Sequence, residues 1–195
     1  MSCDFFTEYA NWTWNDDPTN IPSYFNWAEG EPNLNPDTAT NYVQLQQDYN
    51  SGEDPIGTWF VPEDQDDVNY YICQSPKIPI SQKTCTTPQT TFTTTDSSST
   101  VPPEDMLCME GYVDIVSDSG KCYYISSVYD DTLSWDDATQ ACNDMMNWGY
   151  NVDYNSRNTQ LVSINSDDEN DQLYYQLNDL SIQYAWIGLS WNGKK

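Results

Sequence analysis

Thirty-one of the 195 residues are Asp or Glu, and none is His. Carboxylates in such number could pair as acid and base, bind a hard cation, or accept hydrogen bonds. The absence of imidazole excludes Ser-His-Asp and Cys-His catalysis and the zinc sites built on histidine. Nothing in the sequence marks out two carboxylates as a glycosidase pair, so the chain reads as a non-enzyme. Six cysteines remain, none in a C-x₂-C spacing, and they suit disulfides better than metal. Disulfides need an oxidising compartment, which implies an extracellular protein. Asn11-Trp12-Thr13 is an N-glycosylation acceptor of the matching kind.

Only six Lys and Arg oppose the acids, and the formal net charge is -25. That field repels phosphate backbones and argues against nucleic acid and anionic membranes as partners. No apolar stretch is long enough to span a membrane. The first residues, Met1 to Glu8, lack the basic and apolar regions of a signal peptide, so the chain is expected to be a piece of a longer one. Eight Trp and fifteen Tyr separate it from acidic disordered tails and supply a core.

The elements that must position these groups fall into two blocks. Between Thr84 and Pro103, twelve of twenty residues are Ser or Thr and three are Pro. Such a tract buries no apolar surface and reads as a glycosylated stalk or a plain linker. The expected division is residues 1–75, a linker over 76–104, and residues 105–195. In the second block, Cys108 and Cys122 flank Gly111–Val116 and the turn Asp118-Ser119-Gly120, predicting a hairpin closed by its own disulfide. Ser134-Trp135-Asp136-Asp137 and Ser166-Asp167-Asp168-Glu169 are capping boxes, each opening a helix. Trp135, Ala138, Cys142 and Met145 mark the first helix face, with Gly149 as its C-terminal cap. Leu173 and Leu177 mark the second helix. Leu161–Ile164 and Ala185–Leu189 read as strands. In the first block, Tyr42–Gln46 and Tyr70–Cys73 read as strands around a long loop region, and no helix is expected. Loops of that length in a compact domain are usually functional.

These residues resemble the C-type lectin-like domains. In the second block the resemblance rests on Cys108 with Cys122, the helix carrying Cys142, Leu161-Val162-Ser163-Ile164, Ser166–Asn170 and Trp186-Ile187-Gly188-Leu189. In the first it rests on Trp12–Asp16, Tyr24-Phe25-Asn26-Trp27, Gly30-Glu31-Pro32-Asn33, Gly57-Thr58-Trp59 and Tyr71-Ile72-Cys73. The second block matches the N-terminal half of such a domain and the first matches the C-terminal half. The order suits a fragment of a tandem protein. It also allows the halves to close into one circularly permuted domain, because about thirty linker residues reach ~100 Å extended and average ~30 Å when flexible. The implied fold is α+β, with two helices, small antiparallel sheets and a long irregular loop. The resemblance implies a bridge between Cys73 and Cys142, with Cys108–Cys122 as the second. Cys3 and Cys85 have no role in it. A further bridge of the family, beneath the long loop, is missing, and Tyr42 stands at one of its positions.

The resemblance also implies a ligand. Many sugar-binding members hold Ca²⁺ in the long loop, where sugar hydroxyls complete the ion's shell. Glu31 and Asn33, on either side of a proline that is cis in the family, would be both metal and carbohydrate ligands. Elsewhere the chain departs from the pattern. Thr40 stands where another Glu is expected, and Phe60-Val61 follows Trp59 where Asn-Asp is expected, unless Asp37, Glu63 or Asp64 substitutes. The expected function is therefore extracellular recognition of glycans or glycoproteins, with the calcium site incomplete. The alternative is a calcium-independent, protein-binding module with a degraded sugar site. A truncated product without function is a third reading. Trp12, Trp14, Trp27, Trp59 and Trp186 are expected to pack the core rather than stack on sugars.

Overall fold

The computed structural model describes residues 12–15, 19, 22–33, 41–47, 57–64, 67–79, 106–108, 111–116, 120–127, 132–145 and 159–191. The Asn11 acceptor, Asp37, Thr40, Cys3, Cys85, Gly149 and the Ser/Thr tract lie outside them. Among the described residues the chain forms nine strands and two helices, an α+β arrangement. The strands are β1 (Trp12–Trp14), β2 (Tyr42–Gln46), β3 (Trp59–Phe60), β4 (Tyr70–Pro76), β5 (Ile78–Pro79), β6 (Met106–Leu107), β7 (Lys121–Ile125), β8 (Gln160–Leu161) and β9 (Tyr184–Trp191). The helices are α1 (Trp135–Asp144) and α2 (Asp167–Asp179).

Both helices start where a serine oxygen can replace a missing carbonyl. Ser134 accepts from the Asp137 amide and Ser166 from the Glu169 amide, each at 3.2 Å. Acidic residues fill both first turns, where the helix dipole favours negative charge. α1 ends at Asp144 with Met145 as its cap residue.

The seven-stranded sheet interleaves the two sides of the Ser/Thr tract. Its main order is β3-β2-β9-β4-β7, with β1 also on β9 and β8 also on β4. Central β9, from the second block, lies between β2 and β4 from the first, antiparallel to β2 and parallel to β4. β4 in turn carries β7 and β8 from the second block. A separate two-stranded ladder joins β5 to β6, pairing Ile78 with Leu107 and Pro79 with Met106. The disulfide Cys73–Cys142 ties β4 to α1, and Cys108–Cys122 joins the segment after β6 to β7.

Successive residues of a strand point to opposite sides of the sheet, and in β2, β4 and β9 both sides are buried. Val43 and Leu45 of β2, Ile72 of β4, and Ile187 and Leu189 of β9 are fully buried, together with Leu173 and Leu177 of α2. Burying a side chain of this size contributes roughly 1.5–3 kcal/mol, so residues from both blocks share one core. Trp12, Trp14, Trp59 and Trp186 are at most 1% exposed, hence inaccessible to a sugar. Trp27 is half-buried, with its ring 5.9 Å from that of Trp59.

Two local expectations need correction. Among the described residues the hairpin between Cys108 and Cys122 shows one bridge, Val113 to Tyr123, with two 2.8 Å hydrogen bonds. β7 makes its ladder with β4 instead, because that pairing buries Cys122 and Tyr123 completely. The run Leu161–Ile164 supplies only the end of the two-residue strand β8. Beyond it, Val162 bonds through its N–H to Ile72 and through its carbonyl to Gly188.

Candidate recognition loop

The loop carrying Glu31 is built by contacts that reach across the fold. Gly57 takes a left-handed φ of 66°, which an L side chain rarely adopts. A Cβ there would lie 2.8 Å from the Asn170 amide nitrogen and 3.1 Å from the Tyr174 Cβ. This close approach lets the fully buried Asn170 of α2 donate to the Gly57 carbonyl at 3.1 Å. The other end of the same amide accepts from the Trp59 indole at 2.8 Å. Asn26 also donates to the Gly57 carbonyl, at 2.9 Å. Trp59 is then bonded through its backbone to Asn26 and Ala28, which places the Gly30–Asn33 turn beside β3.

Within that turn the Glu31–Pro32 peptide is cis. The structure brings Glu31 and Asn33 together through the backbone. The Glu31 Oε2 atom accepts from the Asn33 amide at 2.8 Å and from the Val61 amide at 3.0 Å. Charge-assisted bonds of this kind are about twice as strong as neutral ones. The carboxylate therefore fastens the turn to the end of β3.

Among the described residues the donor set falls short of a calcium site. Two N–H groups already occupy one oxygen of Glu31, and their positive ends oppose a cation at that oxygen. Val61, 2% exposed, points no oxygen into the site, and Phe60 packs its ring against Tyr184 at 5.5 Å. Glu63 and Asp64 are exposed. Among the described residues no group of three or more His, Cys, Asp or Glu converges. Calcium needs six to eight oxygens.

Burial first, and neighbouring carboxylates second, raise several groups elsewhere. Tyr24 donates to Asp167 at 3.1 Å, and burial first, then that carboxylate, push its phenol well above the usual range. Tyr42 stacks on Trp135 at 4.5 Å, and burial together with Asp136 raises its phenol too. Asp171 is raised by burial and by Asp167 and Asp168 on the same helix. Asp67 is raised by burial and by Asp64.

Glu169 does more than complete the capping box at the start of α2. It is 4% exposed and accepts from Lys121 Nζ and Tyr123 OH, each at 2.8 Å, and from the Asn165 amide at 2.9 Å. Lys121 also donates to the Ser163 carbonyl, and Ser163 donates to Gln74 on β4 through its amide and hydroxyl. Sequence reasoning missed Asn170 and Glu169 as positioning residues. The available signal was polar identity on the helix face that carries Leu173 and Leu177.

Comparison with known proteins adds no assignment, since no family model, curated protein or solved structure matches the chain. The fold and the loop define an α+β protein with two disulfides. No helix among its described residues is long and apolar enough to cross a membrane.

Proposed function

We propose that the protein is a non-enzymatic, extracellular recognition module of C-type lectin-like architecture that engages its ligand without calcium. One observation carries this reading. One oxygen of the Glu31 carboxylate, the first ligand a calcium site would need, accepts from both the Asn33 and Val61 amides. Phe60 and Val61 supply packing where the resemblance calls for oxygen donors. The absence of histidine from the sequence supports a binding role over catalysis. A protein surface is the ligand class this arrangement favours, because the loop is held by its own hydrogen bonds before any ligand arrives. Glycans are the second reading, supported by the half-buried polar pair Glu31 and Asn33 beside the turn.

The test is thermal unfolding in millimolar calcium and in chelator, alongside titration calorimetry. A bound ion would raise the melting temperature according to its concentration and affinity. The expected result is the same melting temperature in both conditions and no calorimetric heat beyond dilution. A calcium-dependent rise would overturn the reading and restore metal-mediated sugar binding.

A further inference from the structure

The contacts between the two sides of the Ser/Thr tract raise the question of what holds them together. β9 is inserted between β2 and β4, and β4 between β9 and β7, so the central pairings of the sheet join one side to the other. Side-chain bonds repeat the pattern. Tyr24 reaches Asp167, Gln47 reaches Asn178 at 2.6 Å, Asn170 reaches Gly57, and Ser163 reaches Gln74. The buried tryptophans Trp12, Trp14 and Trp59 share their core with residues of α2 and β9. Asn170 and Ser163 are buried, so neither side alone would satisfy their bonds or cover these rings, and unsatisfied or uncovered groups of this kind are costly.

We infer that residues 12–79 and 106–191 are two complementary pieces of one folding unit, each being the other's binding partner, and that the chain joining them is dispensable once folded. Each piece contributes an interaction surface: the edges of β2 and β4 on one, the edges of β9 and β7 on the other. The occupant is the same chain's other piece rather than a second copy. The β5–β6 ladder pairs Ile78 with Leu107 and Pro79 with Met106, so both ends of the connection lie side by side. A connection of this length gives an effective concentration in the millimolar range, above that of another chain in dilute solution. Cys73–Cys142 is a covalent tie between the pieces that outlasts any cut in the connection.

The test inserts a protease recognition sequence between Ser97 and Ser98 of the full chain and cuts the folded protein. The expected product is a species of unchanged mass on a non-reducing gel that reducing conditions resolve into two fragments. Its near-ultraviolet circular dichroism, reporting the buried tryptophans, should match the uncut chain, and gel filtration should give a monomer. The same cut in the C73S/C142S chain asks whether the surfaces suffice alone, and co-elution of both fragments is expected. Loss of the near-ultraviolet signal on cutting the disulfide-intact chain would overturn the inference. A dimer with exchanged halves would do so as well, as would separation of the fragments from a folded C73S/C142S chain.

Discussion

Asn170 is a single amide serving both sides of the structure, accepting from Trp59 and donating to Gly57 inside the core. Asn170→Ala would leave a buried indole N–H and weaken the hold on a buried carbonyl. The expected loss is about 2–3 kcal/mol in denaturant unfolding. Asn170→Asp, which keeps the acceptor and removes the donor, should also destabilise, because a charge would then be buried beside that carbonyl. Glu31 is the corresponding residue of the loop. Glu31→Ala removes the acceptor of two amides and should cost roughly 1–3 kcal/mol, whether or not calcium is present. A loss seen only in calcium would point to a metal ligand. Asp171 provides the opposite sign. Its folded carboxyl is raised above the ordinary carboxylate value, so its contribution is favourable at low pH and lost as pH rises through the folded value. At neutral pH Asp171→Asn should therefore raise stability, by roughly 0.2–0.5 kcal/mol for a like-charge helical pair, with high salt shrinking the gain.

At the scale of elements, the two helices are held by tyrosines from the other block, Tyr24 on α2 and Tyr42 on α1. Both phenols are raised by burial and by neighbouring carboxylates, and burial raises Tyr112 to about 12. For a group whose folded value is raised, stability is fully present below the unfolded value, 10.0 for a phenol, and is lost as pH rises through the folded value. Alkaline titration should show the melting temperature falling above that point, and Tyr24→Phe together with Tyr42→Phe should flatten the fall. Gly188 tests the central strand. A Cβ there would lie 2.9 Å from the Leu161 carbonyl oxygen and 2.7 Å from Asn15 Oδ1. The backbone of β8 cannot yield as a flexible side chain would, so Gly188→Ala should destabilise by about 1–3 kcal/mol.

The starts of these elements were legible in the sequence for a local reason. Ser134 and Ser166 complete their own helices, and Val43 and Leu45 alternate within one strand. What was not legible is non-local. Alternation divides a strand's residues between its two sides but does not say which strand lies next to it, so the sequence predicts a hairpin where the ladder of β7 lies on β4. Glu169 illustrates the same limit in a side chain. Its cap position follows from Ser166, but its bonds to Lys121 and Tyr123 depend on a strand more than forty residues away. Glu31 and Asn33 could be singled out from the triplet, yet the Val61 amide that commits Glu31 to the loop comes from a distant segment.

For the whole molecule, the two disulfides act over different lengths. Cys73 and Cys142 are 69 residues apart and Cys108 and Cys122 are 14 apart. In the chain-entropy picture the longer bridge stabilises by about 4 kcal/mol and the shorter by about 3. The C73S/C142S chain should accordingly be less stable than the C108S/C122S chain. The longer bridge also joins the two blocks, as Asn170 does where it holds Gly57 and Trp59. Mass spectrometry of a non-reduced digest tests this joining most directly. The expected result is a cross-linked pair of peptides containing Cys73 and Cys142, with Cys108 bound to Cys122. Cys73 or Cys142 paired with any other cysteine would contradict a single unit assembled from both sides of the tract.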